Sequence, residues 1–149
     1  MKLSIVHYIT LALSLSFFSS CVLSPEAVII KQDGKWDIAD YTYEKEMGDS
    51  TLFSVSYADA GLFEFREDGG GLVTINVSGT TIPENQEILW TFDKEAETMT
   101  IDWQSLDPTV FSVVENEKDR QVWVESSSSV SPVGTEITTV RMTLVRQSE

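Results

Sequence analysis

Apolar residues of this chain recur at every second position, and this alternation limits what the chain can fold into. In residues 97–103, Met99, Ile101 and Trp103 alternate with polar residues. Alternation of this kind, rich in β-branched and aromatic residues, is typical of strands with one face in a core and the other in water. No segment has a helical period long enough for the crossovers of a parallel sheet. We therefore expect an all-β, antiparallel fold.

Turn residues separate the apolar runs at spacings of about ten residues. Asp59–Gly61 and Glu67–Gly70 are predicted turns, and the serine-rich stretch Ser126–Gly134 is interpreted as a flexible loop. About nine strand-like runs result, a pattern typical of a β-sandwich or an antiparallel barrel. The length of 149 residues fits one such domain.

The first twenty residues have the features of a targeting segment. Lys2 supplies a positive charge, and Ile9–Phe18 is an apolar run of ten residues, about half the length of a transmembrane helix. Ser19 and Ser20 then precede Cys21, the only cysteine. The sequence Phe-Ser-Ser-Cys resembles the lipobox of bacterial lipoproteins, with Phe18 where that family usually has Leu.

The lipobox resemblance implies cleavage before Cys21 and acylation of this cysteine. The chain would then comprise a signal peptide (residues 1–20), a lipidated cysteine with a tether (residues 21–33) and a barrel domain (residues 34–149). Val28–Ile30 in the tether is apolar enough to pack against the domain. Val22 is not the Asp that retains lipoproteins at the inner membrane, which favours an outer-membrane anchor. The alternative is an ordinary signal peptide followed by a buried thiol.

Charge and missing residue types disfavour several functions. The chain has 24 Asp+Glu against 10 Lys+Arg, a formal charge of −14, which argues against a nucleic-acid partner. His7, the only histidine, lies in the signal peptide, so the processed chain lacks the bases of Ser–His and Cys–His pairs. Zinc, haem and iron–sulfur sites lose their usual ligands too. We expect no catalytic residue, metal or cofactor, although a carboxylate pair acting on glycans stays open.

Gly34-Lys35-Trp36, at the start of the first strong run, resembles the Gly-x-Trp motif that opens the first strand of lipocalins. The similarity continues through Phe63–Gly69 and Leu89–Trp103 to Arg146. It implies an antiparallel up-and-down β-barrel of the lipocalin-like (calycin) class, with eight to nine strands. It also implies that an arginine of the last strand packs against Trp36.

Strand parity selects which arginine this is. Val140, Met142 and Leu144 share one face of the last run, and Arg146 continues that face. Arg141 has the opposite parity and is expected to face solvent.

The four tryptophans receive two interpretations. Trp36, Trp90 and Trp103 are expected to fill the barrel core rather than line a ligand pocket. Trp123 lies between two valines, and this predicts an exposed indole that could contribute to a contact surface.

Together these features predict a lipid-anchored envelope lipoprotein with a non-catalytic lipocalin-like domain that binds a small apolar ligand or a partner protein. One alternative is a structural or accessory subunit of an envelope complex with a solid barrel. The other is a carboxylate-dependent enzyme acting on glycans. A void of about 300 Å³ or more would favour the binding domain over the solid barrel.

Lipidation of Cys21 can be tested by metabolic labelling. Palmitate should label the wild-type protein, and Cys21→Ser should abolish the label and release the protein into soluble fractions, because several acyl chains are needed for a stable anchor. A wild-type protein that stays membrane-bound without label would contradict the lipobox interpretation.

Overall fold

The computed structural model describes residues 25–77 and 85–147, so the predicted signal peptide and Cys21 lie outside the described residues. A short helix α1 (Pro25–Ile29) and a 3₁₀ helix (Gln32–Gly34) precede eight antiparallel strands. Each strand pairs with the next in the chain and β8 returns to β1, which closes the barrel. The prediction of an all-β, up-and-down barrel is confirmed. The strands of the described residues are β1 (Lys35–Met47), β2 (Ser50–Phe65), β3 (Gly70–Ile75), β4 (Gln86–Asp93), β5 (Thr98–Asp102), β6 (Thr109–Asn116), β7 (Arg120–Ser131) and β8 (Gly134–Arg146).

The strands differ in length, and the difference makes the two ends of the barrel unlike. Strands β1, β2, β7 and β8 have 12 to 16 residues, whereas β3 to β6 have five to eight. The four long strands are neighbours in the barrel, so their far halves form a four-stranded sheet beyond the short strands. We call this extension of the four long strands the projecting sheet. The end of the barrel that carries α1 and the start of β1 is the closed end. The opposite end, where the projecting sheet begins, is the mouth.

Ser126–Gly134, predicted as a flexible loop, is mostly strand. Residues Ser126 to Ser131 continue β7 and pair in register with Gly134 to Thr139 of β8. The hydroxyl oxygens of Ser126 and Thr139 lie 3.2 Å apart and share a hydrogen bond. The prediction was wrong because strand formation depends on a paired neighbour more than on the intrinsic preference of serine.

Asp59–Gly61, predicted as a turn, lies inside the continuous strand β2. Ile38 pairs with Gly61 and Asp40 with Ala58, so two residues of β2 oppose one residue of β1. Asp59 has a φ of 52°, and the arrangement is a β-bulge, which bends a strand without ending it. The turn predicted at Glu67–Gly70 is present between β2 and β3.

Aromatic rings pack the half of the barrel nearest the closed end. Trp123 is fully buried, and its ring centroid lies 5.7 Å from Phe63, 5.8 Å from Phe65 and 5.9 Å from Phe111. The prediction of an exposed Trp123 was therefore wrong. Two valines beside a tryptophan suggested that the valines face the core, but the larger ring occupies the interior. Its indole N–H donates to Oε1 of the buried Gln121 over 2.8 Å.

Gly34 joins the 3₁₀ helix to β1 at a position that other residues cannot occupy without strain. Its φ is +65°, and a Cβ built there would lie 1.9 Å from the carbonyl oxygen of Phe65. Glycine avoids both the left-handed penalty and the clash. The first residue of the Gly-x-Trp motif therefore lets the chain cross close against the end of β2.

Gly34→Ala should lower the free energy of unfolding by about 2–4 kcal/mol, because the new methyl group forces the backbone of β2 to move. Gly48→Ala is the matched control, since Gly48 has a φ of +59° with no atom within 4 Å of a built Cβ. That variant should lose only about 1 kcal/mol of left-handed strain. Urea unfolding measures both, and equal losses would show that the Phe65 contact is unimportant.

Candidate binding site at the barrel mouth

The closed end is sealed by a tryptophan beneath an arginine. Trp36 is fully buried at the start of β1, and its indole N–H donates to the carbonyl of Ile29 over 2.9 Å. The guanidinium carbon of Arg146 lies 4.2 Å from the centroid of the Trp36 ring. This is a cation–π distance, and the contact expected from strand parity is present.

The Arg146 guanidinium also connects its own strand β8 to two turns of the backbone. It donates to the carbonyls of Val28 and Lys31, on either side of the N-terminal turn, and to the carbonyl of Lys118 over 3.1 Å in the turn between β6 and β7. Asp119 lies 3.5 Å from Nε as the counter-ion. Burial lowers the pKa of Arg146 from its ordinary value, and Asp119 opposes that change. A planar fork of donors suits such a multi-branched contact better than an ammonium would.

Helix α1 completes the seal. Val28 and Ile29 are buried and belong to the same core cluster as Trp36. The segment predicted as a tether thus packs against the barrel from Val28 onward. A ligand of the barrel interior would therefore enter at the mouth.

A cavity of about 520 Å³ opens at the mouth. Its floor is apolar, because Phe111 and Met142 are buried there above the aromatic core. One wall is the base of the projecting sheet and the other is the loop between β5 and β6 with the start of β6. The lining residues are Tyr41, Ile75, Trp103, Asp107, Pro108, Thr109, Val110, Phe111, Glu125, Ser126, Val140 and Met142.

Trp103 is the tryptophan of the cavity wall. It is 3% exposed, and its indole N–H donates to Oγ1 of Thr109 over 2.8 Å. Its own carbonyl accepts from Nε2 of Gln86 over 2.8 Å. The first bond holds the indole ring against the start of β6, and the second holds the backbone of Trp103 to β4. Trp36 and Trp90 are buried as predicted, whereas Trp103 combines a buried position with a place in the lining.

The polar groups of the cavity include the phenol of Tyr41 and the carboxylate of Glu125. Tyr41 is half-buried, and its pKa is raised above the usual value for tyrosine, first by burial and then by nearby acidic groups that include Tyr43 and Glu125. The phenol therefore stays protonated at neutral pH. Tyr41 can offer a hydrogen bond to a ligand, while the Glu125 carboxylate accepts one.

Sequence reasoning found the seal but missed the cavity. Gly34, Trp36 and Arg146 lie together at the closed end, and Cys21 lies outside the described residues. Glu125 was passed over because it adjoins the serine-rich stretch mistaken for a loop. The parity that places Trp123 inside also places Glu125 inside, so a correct assignment of β7 could have found it.

Within residues 25–77 and 85–147, no three His, Cys, Asp or Glu side chains come together as a metal site. Over the same part of the chain, no helix has the length and apolar character needed to cross a membrane.

No family model matches this chain, and no curated protein is significantly similar to it.

Arg146→Ala should destabilise the protein by about 2–4 kcal/mol, because three carbonyls lose their donor and Trp36 loses its cover. Arg141→Ala, an exposed arginine on the same strand, should change stability by at most about 0.5 kcal/mol. In a Trp36→Phe background the effect of Arg146→Ala should shrink, since neighbouring residues couple. Equal effects of the two arginines, or full additivity with Trp36, would argue against the seal.

Proposed function

We propose that this protein is a lipid-anchored lipoprotein of the bacterial envelope whose lipocalin-like barrel binds a small ligand with a largely apolar body and catalyses no reaction. The cavity at the mouth carries the proposal. Its volume of about 520 Å³ falls within the range of about 300–1,000 Å³ that is typical of small-molecule sites. Buried apolar residues such as Phe111 and Met142 stand there beside the hydrogen-bonding groups of Tyr41 and Glu125, so both the apolar body and a polar group of a ligand would find partners.

The uneven filling of the barrel favours a binding domain over a purely structural barrel. Aromatic rings fill the half near the closed end, with Trp123 in contact with three phenylalanines. A barrel that served only as a scaffold would gain stability from similar packing at the mouth. Among the described residues, a cavity occupies the interior at the mouth instead.

A lipid anchor would direct the mouth away from the membrane. Three residues separate Cys21 from the start of α1 at Pro25, so the two Cα atoms are four steps of the chain, at most about 14 Å, apart. Because α1 packs at the closed end, an acylated Cys21 would hold that end near the bilayer. The cavity would then open toward the aqueous side, where a soluble ligand can reach it.

Binding can be measured with N-phenyl-1-naphthylamine, a neutral apolar fluorophore that brightens in apolar surroundings. The protein should bind it saturably, and Val140→Trp should weaken binding about tenfold, because the larger side chain fills the cavity beside Glu125 (tenfold corresponds to about 1.4 kcal/mol).

Val145→Trp is the matched control, since Val145 lies on the same strand with its side chain outside. This variant should bind the fluorophore as the wild type does. No saturable binding by the wild type, or equal binding by the two variants, would contradict a ligand site at the mouth.

A further inference from the structure

Within the part of the chain that the structure describes, the ionisable groups that line the cavity are all acidic. They are Tyr41 on β1, Glu125 on β7 and Asp107 in the β5–β6 loop. Glu125 is half-buried and pairs with Val140 across the strands β7 and β8. It shares the inner face of the sheet with Trp123 two residues before it, so its carboxylate belongs to the wall of the cavity and not to the outer surface.

Among the described residues, neither cavity carboxylate has a cationic partner within ion-pair distance. Lys45 lies on the same inner face nearer the tip of the projecting sheet, where its ammonium is paired with Glu136 at 2.8 Å. Arg141 pairs in register with Val124 and faces outward. The other basic residues of the described chain lie at the closed end: Lys31, Lys35, Arg66, Lys94, Lys118, Arg120 and Arg146.

The consequence is a negative field at the mouth. The Glu125 carboxylate stands at a half-buried wall, where charge interactions are stronger than in open water, and the exposed Asp107 adds its charge from the β5–β6 loop. Trp103 and Phe111 also line the cavity, and aromatic faces attract cations. An anionic ligand would be repelled, and a neutral one would gain at most a hydrogen bond to a carboxylate, without the charge attraction that a cation gains.

We propose that the cavity selects cationic amphiphiles, molecules with an apolar body and a protonated amine or quaternary ammonium group. The apolar body lies on the floor formed by Phe111 and Met142, and the cationic group lies between Glu125 and the aromatic wall. This inference rests on the proposed function and specifies its ligand class.

Three probes with the same chain length separate charge from apolar burial: octyltrimethylammonium, 1-octanol and octanoate, each titrated calorimetrically into the purified protein below its micelle concentration. Octyltrimethylammonium should bind at least about tenfold more tightly than octanol, a preference that falls with added salt. Octanoate should bind most weakly.

Glu125→Gln removes the half-buried charge with little change of shape. It should reduce the ratio of octyltrimethylammonium to octanol affinity about tenfold, toward unity. Glu44→Gln is the matched control, because it makes the same charge change on the opposite face of the projecting sheet, where Glu44 pairs with Thr139 and Ser54. It should leave the ratio unchanged. Thermal unfolding of both variants verifies that they are folded.

The outcomes separate this inference from the proposed function. The cationic preference would be overturned if octanol and octyltrimethylammonium bind equally well, or if the Glu125→Gln and Glu44→Gln variants have equal affinity ratios. The proposed ligand site at the mouth would still stand in either case. Absence of octyltrimethylammonium binding also overturns the cationic preference. If N-phenyl-1-naphthylamine fails to bind as well, the proposed function falls with it.

Discussion

The buried guanidinium of Arg146 is the interaction on which the closed end depends. It lies over the Trp36 ring and donates to carbonyls from the N-terminal turn and from the β6–β7 turn. A buried charge is expensive to desolvate unless its donors are satisfied, and here backbone oxygens from distant parts of the chain satisfy them. The same group therefore joins the N-terminal turn, the last strand and the β6–β7 turn at one end of the barrel. The mouth can then remain open without loss of the fold.

Strand length decides where the open space lies. Closure of the barrel fixes which strands are neighbours, and the four long strands happen to be contiguous. Their excess length therefore projects on one side only and forms a back wall. The short strands β3 and β5 end below it, so among the described residues the back wall extends beyond the strands of the opposite side. A barrel with strands of equal length would have a symmetrical rim, and its interior near the rim would be filled by side chains from all sides.

The sequence predicted what depends on local alternation and failed where pairing between strands decides. Period-two patterning was enough for the all-β class, and parity was enough to choose Arg146 over Arg141. The prediction of an exposed Trp123 failed because the strand alternates equally well with the two flanking valines inside or with Trp123 inside. Only the contacts of Trp123 with Phe63, Phe65 and Phe111 distinguish these two arrangements. The β-bulge at Asp59 carries residues that also suit a turn. The cavity could not be predicted, since it arises from differences in strand length that appear only when the barrel closes.

If the protein is lipid-anchored as proposed, its distribution of charge favours one orientation at the membrane. The mouth half carries Lys45 and Arg141 against many acidic residues, whereas most basic side chains lie at the closed end. Anionic lipid headgroups repel acidic surfaces over about one Debye length, roughly 8–10 Å at physiological ionic strength. The more acidic mouth is therefore the end that such a surface repels most. Three residues between Cys21 and α1 allow little room for reorientation, so electrostatics and a lipid anchor would favour the same orientation, with the cavity facing away from the bilayer.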